Sequence, residues 1–171
     1  MRIFKKVLYT LLVMLCVASL CSAKEQSQPS LEWYDAGNED FSKDISIKPI
    51  EQIPKDKLID NFDVRSDGVI AIAFSDWKHI AIIDNNGGFL YGFEVDLSVN
   101  GGFCVVWDND TLNILTNRGD RIFAVDDEGT ILKSGKLTSS NWISEAETRK
   151  RKVNGDTYEM SSSIAFILST G

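Results

Sequence analysis

One stretch of this sequence repeats itself, and a repeat constrains a fold more tightly than any single element. Each copy must be one supersecondary unit that buries its apolar faces against a neighbour. Ile80-Ala-Ile-Ile-Asp84-Asn-Asn-Gly87-Gly-Phe89-Leu90 aligns with Ile122-Phe-Ala-Val-Asp126-Asp-Glu-Gly129-Thr-Ile131-Leu132, and the step from Ile80 to Ile122 is 42 residues. The same offset pairs Val64 with Val106, Ile70 with Leu112 and Ile72 with Ile114.

Each unit reads as four short strands. The first unit gives Phe62–Val64, Val69–Phe74, His79–Asp84 and Phe89–Val95, and the second gives Phe103–Trp107, Thr111–Thr116, Arg121–Asp126 and Thr130–Leu137. Between them fall Ser66-Asp67-Gly68, Asn85-Asn86-Gly87, Asp108-Asn109-Asp110 and Asp127-Glu128-Gly129, where Asn, Asp and Gly accept positive φ and set tight hairpins. Four antiparallel strands in about 42 residues is the dimension of a propeller blade. Alternation places Ile80, Ile82, Ile122 and Ala124 at equivalent positions on an apolar face of each third strand.

The stretch Gly88-Phe-Leu-Tyr-Gly-Phe-Glu-Val95, with Gly102-Phe-Cys-Val-Val-Trp-Asp-Asn-Asp-Thr-Leu-Asn-Ile114, Asp126-Asp-Glu-Gly-Thr-Ile131 and Lys152-Val-Asn-Gly-Asp-Thr-Tyr-Glu-Met160, resembles a group of uncharacterised exported bacterial proteins with short β-propeller-like repeats. The resemblance implies a fold and carries no activity. The expected fold is therefore all-β: two four-stranded antiparallel propeller-like blades, at about 62–101 and 103–137, with flanking strands in an incomplete propeller. Closed propellers use about 4–8 blades, so two leave edges that flanking segments 46–60 and 142–168, or another chain, must cover.

The chain opens with Arg2, Lys5 and Lys6, followed by an apolar run from Val7 to Leu20 and small residues at Cys21 and Ala23. This is the layout of a secretory signal, with residues 1–23 removed and Lys24 as the new N-terminus. An uncleaved membrane anchor, or a lipoprotein signal acylated at Cys21, is the alternative; Ala18 and Leu20 depart from the usual lipoprotein pattern. Three of 18 basic residues and none of 25 acidic ones lie in residues 1–23, so the remainder carries 15 basic against 25 acidic side chains, a net charge of −10. Such acidity argues against nucleic acid and anionic lipid, which need counterion-displacing basic patches. Cys104 is the one cysteine after residue 23, so no internal disulfide can form there, and its apolar neighbours give it the part of a small buried hydrophobe.

Residues 24–45 read as a polar linker with a candidate docking segment at Leu31, Trp33, Tyr34 and Phe41, and the repeat domain spans 46–171. Ser46–Ile53 reads as a strand closed by Pro54, Arg149-Lys-Arg-Lys152 as a solvated turn, Val153–Met160 as a strand with a hairpin or bulge at Asn154-Gly155, and Ile164–Leu168 as a last apolar strand. The apolar end invites self-association.

Catalytic chemistry is sparsely supplied. The single histidine, His79, follows Ser75 and Asp76, and neighbours along a strand rarely converge on one reacting atom. Asp84, Asp96, Asp108, Asp110, Asp126 and Asp127 could provide a carboxylate pair for glycoside hydrolysis, yet they fall at strand ends and turns, where local hydrogen bonding already accounts for them. The Asp108-Asn109-Asp110 and Asp126-Asp127-Glu128 clusters lack the alternating spacing of an EF-hand calcium loop. Arg118-Gly119-Asp120 spells a tripeptide read by integrins, and also a plain turn. No catalytic, cofactor or metal residue is assigned. The expectation is a non-catalytic exported binding or interaction module, contacting protein or carbohydrate through sheet edges or Trp33, Trp77 and Trp142; an extracellular hydrolase and a fragment of a larger propeller are the alternatives.

Cleavage is expected after Ala23. N-terminal sequencing of exported protein should begin at Lys24, and an intact Met1 in the membrane fraction or a lipidated Cys21 would refute it.

Overall fold

The computed structural model describes residue 31, residues 33–34, 40–98, 101–138 and 150–160, and the backbone of 166–169. These residues form thirteen strands: β1 (Trp33–Tyr34), β2 (Ile45–Pro49), β3 (Ile59–Val64), β4 (Ile70–Phe74), β5 (His79–Ile83), β6 (Phe89–Leu97), β7 (Phe103–Asp108), β8 (Thr111–Thr116), β9 (Arg121–Val125), β10 (Ile131–Leu137), β11 (Lys150–Val153), β12 (Asp156–Met160) and β13 (Phe166–Ser169), with a 3-10 turn at Phe41–Asp44. All pair antiparallel in three sheets. Sheet 1 has the order β2-β6-β5-β4-β3, sheet 2 the order β1-β10-β9-β8-β7, and sheet 3 the order β11-β12-β13.

The fold is all-β, as expected, but the two large sheets have five strands, and neither they nor sheet 3 close on themselves. The fifth strand of each comes from the segment before the repeats. Ile47 lies opposite Val95 in sheet 1, and Trp33 opposite Leu137 in sheet 2, so the strand expected from Ser46 completes the outer side of sheet 1 and residues read as linker complete that of sheet 2. Strand β2 ends at Pro49 rather than at Pro54. Proline has no N–H for the ladder and is tolerated there because β2 is an edge.

The offset of 42 holds residue by residue through the middle of the sheets. Ile72 faces Ala81 and Ile114 faces Phe123; Ile80 faces Phe93 and Ile122 faces Gly135. It fails by one on the first strand. Val64 pairs with Ile70, whereas the residue pairing with Leu112 is Trp107, so Val64 corresponds to Trp107 and not to Val106. The Arg65–Val69 turn is one residue longer than its counterpart, and with a side-chain period of 2 a one-residue slip exchanges the faces. Val106 accordingly faces the far side of sheet 2, whereas Val64 and Trp107 share the same face of their own sheets: Phe62 and Val64 pack with Tyr158 and Met160 of sheet 3, and Val105 and Trp107 enter the core shared by sheets 1 and 2 because the sheets stack in the same sense.

Three apolar layers result. Ile80, Ile82, Phe93 and Val95 meet Phe103, Val105, Leu112, Ile114 and Phe123 between sheets 1 and 2. Sheet 3 covers the other face of sheet 1. Cys104, Val106, Leu115 and Ile122 form the far side of sheet 2 with Leu31 and Trp33 packed on it. Ile80 and Ile122 thus occupy the same face of their own sheets, the first in the shared core and the second one layer further out.

The turns repeat as well. Asp84 Oδ1 accepts from the N–H groups of Asn86 and Gly88, both at 2.8 Å. Asp126 Oδ1 accepts from Glu128 and Thr130 at 3.1 and 2.7 Å. Gly87 and Gly129 each have φ +83°, a conformation costly for any residue with a Cβ.

Side chains join the layers at their inner strands. Asn61 Oδ1 accepts from Val105 N–H at 2.9 Å and its Nδ2 donates to Phe103 carbonyl at 3.2 Å; Asp63 Oδ2 accepts from Trp107 N–H at 2.7 Å. The other Asp63 oxygen receives Arg151 Nε at 2.8 Å. Arg151 belongs to the basic run read as a solvated turn, which is instead β11 over Lys150–Val153. Alternation exposes Lys150 and Lys152 and turns Arg151 inward, where its side chain is only 10 % exposed.

Arg151→Met should destabilise by about 3–5 kcal/mol, because it leaves a buried carboxylate uncompensated. Adding Asp63→Asn should recover part of that loss. Urea midpoints of the two single variants and the double variant close the cycle, and additive losses would show that the pair does not couple.

Candidate functional site

The hairpin turn between β4 and β5 builds the one histidine into an acid–base pair. Trp77 takes φ +52° at the tip, which returns the chain so that Asp76 faces the start of β5. Asp76 Oδ1 then accepts from the N–H groups of Lys78 at 3.0 Å and His79 at 3.3 Å, while Oδ2 lies 2.7 Å from His79 Nδ1. Lys57 Nζ stands 3.2 Å from the same oxygen. The sequence reading that these neighbours do not converge is corrected for Asp76 and His79: three residues across a tight turn bring them together. Ser75 forms no bond to the ring; its N–H donates to Leu58 carbonyl.

Burial would raise the Asp76 carboxyl, but the bonds from His79, the Lys78 N–H and Lys57 together outweigh it and hold the group below its ordinary value. An ionised carboxylate only accepts, so Nδ1, facing Asp76, is the donor of this bond. His79 lines an open surface cleft of about 510 Å³ with Ile50, Glu51, Gln52 and Pro54, beside the outer end of sheet 1.

A second polar cluster sits at the opposite ends of the strands. Arg65 binds Asp67 through two parallel contacts of 2.9 and 2.8 Å, and its guanidinium lies 4.9 Å from the centre of the Trp107 ring. The Arg65 bond holds Asp67 well below the carboxylate range, at about 2, with the Val69 N–H adding to it. Tyr91 is raised, chiefly by burial. Trp107 Nε1 is buried without a hydrogen-bond partner among the described residues.

The other acidic residues do not gather. Asp84 and Asp126 are engaged by their own turns. Asp108 binds Asn109 at 3.2 Å, Asp110 is exposed 3.9 Å from Arg65, and Asp96 and Asp127 are exposed. Among the described residues no group of three or more His, Cys, Asp and Glu side chains could hold a metal ion. Arg118, Gly119 and Asp120 are exposed on the β8–β9 turn, and the Asp120 carbonyl is held by Leu137 N–H at 2.7 Å. Of the three tryptophans expected as contacts, Trp77 is 51 % exposed, Trp33 is half-buried with Lys133 Nζ 3.9 Å from its ring centre, and Trp142 lies outside the described residues. Cys104 is buried in the far layer of sheet 2.

Sequence reasoning passed over Lys57, Asn61 and Asp63, and left Arg151 in a solvated turn. Alternation offered a signal for Asn61 and Asp63, polar residues on either side of Phe62 that face the inner edge. Nothing local marked Lys57. No helix among the described residues is long and apolar enough to cross a membrane. The fold and site thus define a layered, all-β antiparallel domain with a histidine-lined cleft. No family model matches the chain, and no curated protein matches it either.

Acid should weaken the fold through Asp67 and Asp76. Both are depressed, so their contribution is complete above the unfolded carboxylate value near 3.9 and is lost as pH falls through their folded values, about 2 for Asp67. Asp67 is 54 % exposed, which limits its share to about 0.2–1 kcal/mol. Urea midpoints at pH 5 and pH 2.5 should differ less in Asp67→Asn than in the parent; an unchanged acid limb would remove the Arg65 pair from the account.

Proposed function

We propose that this protein is an exported, non-catalytic binding module made of propeller-like blades, which takes a small polar ligand in the cleft beside His79. The observation that carries the reading is His79 itself: Nδ1 is committed to Asp76, Nε2 has no bond among the described residues, and the ring lines an open cleft. Ile50 and Pro54 supply apolar wall, Glu51 and Gln52 the polar groups that orient a guest. The hydrolase reading lacks support, since the turn carboxylates cap backbone N–H groups and Ser75 stands apart from the imidazole.

The blade reading draws on the shared strand order, the offset of 42 and the face-to-face stacking of sheets 1 and 2. The alternative of a fragment from a larger ring is disfavoured at sheet 3. Its inner face carries Tyr158 and Met160, whereas Lys150, Lys152 and Glu159 are exposed and Lys150 pairs with Glu159 at 3.2 Å. A charged outer face ends the stack on that side, where a further blade would need an apolar one.

As the sole histidine, His79 gives a unique imidazole signal in proton–nitrogen correlation spectra. Expected are an Nδ1–H tautomer and a shift of that signal on adding size- and charge-fractionated material from the native culture fluid, with the retained compound lost in His79→Ala. An Nε2–H tautomer, no shift with any fraction, or turnover of a fraction that disappears in His79→Ala would overturn the reading.

A further inference from the structure

The three sheets have six lateral edges, and five of them are protected. Strand β1 is only two residues long. Strand β2 carries Lys48 and Pro49, and β11 carries Lys150 and Lys152, charges and a proline that discourage pairing. Strand β7 has the N–H groups of Val105 and Trp107 taken by Asn61 and Asp63. Strand β3 packs against β7 and β11. The sixth edge is β13. It pairs through Phe166–Ser169 with Met160–Thr157 of β12 on one side, and no strand among the described residues pairs with the other.

We propose that β13 pairs antiparallel with β13 of a second copy of this chain, joining two third sheets into one continuous six-stranded sheet. The occupant follows from charge and from symmetry. The chain carries a net charge of −7, so two copies repel over most of their surface, but Phe166-Ile167-Leu168-Ser169 holds no charge and no proline. An antiparallel strand is complementary to itself about a two-fold axis, and that pairing closes at two copies instead of growing into a filament. The fold already completes its outer edges by importing a strand: β2 and β1 come from far along the chain to extend sheets 1 and 2. Sheet 3 lacks such an addition among the described residues. Full overlap of four residues sets Ile167 opposite Leu168 of the second copy. The pairing is independent of the cleft beside His79.

Sedimentation velocity on the purified protein over a wide concentration range should show a reversible monomer–dimer equilibrium, weakened about tenfold or more by Ile167→Lys. Opposed residues in an antiparallel pair lie about 4.5–5.5 Å apart at Cα, within disulfide reach. A mixture of Ile167→Cys and Leu168→Cys proteins should therefore yield, on mild oxidation, a reducible dimer absent from the parent. Cys104, at 1 % exposure, does not compete, and a Cys16→Ser/Cys21→Ser background removes the other two cysteines. The cysteine variants decide the matter if Ile167→Lys fails to fold. A protein that stays monomeric, or one that associates without this cross-link, would refute the pairing and leave ligand binding at His79 to its own test.

Discussion

The inner edge of β7 presents backbone N–H groups that, left unpaired in the interior, would each cost about 1–3 kcal/mol. Another strand could satisfy them only by turning two stacked sheets into one. Here Asn61 and Asp63 do so from β3 while the sheets remain face to face. Because Asp63 is fully buried and charged, it needs a cation, and Arg151 brings sheet 3 with it. The three-layer arrangement therefore depends on two polar side chains that flank Phe62, itself wholly buried in the layer between sheets 1 and 3.

The middle of the fold was legible because three strands of each unit carry the same period-2 pattern between turns of equal length. Asp84 and Asp126 announce their turns by residue type alone, and the structure gives both the same bonds. The first strand was less legible. Val64 and Val106 look alike in sequence, but one extra residue after Val64 moves the match to Trp107 and leaves Val106 on the opposite face of its sheet. Arg151 was misread for a related reason: in a run of basic residues charge outweighs alternation to the eye, although a strand turns every second side chain inward.

The candidate site was half visible. His79 and Asp76 are close in sequence, and the positive φ at Trp77 that folds them together leaves no mark in composition. Lys57 and the cleft wall at 50–54 come from the segment joining β2 to β3, and only the packing of that segment beside β5 assembles them. A reading strand by strand could list the residues but could not place them around one space.

The outer strands have a bearing on the order in which the chain can fold as it is made. Trp33 pairs with Leu137 and Ile45 with Leu97, so the earliest strands to leave the ribosome are among the last to find their places. Strand β2 waits for β6, and β1 waits for nearly the whole of sheet 2. Contacts this far apart in sequence close slowly, since the chain between them must be ordered first. Sheet 2 can therefore gain its outermost strand only after its last hairpin has been delivered.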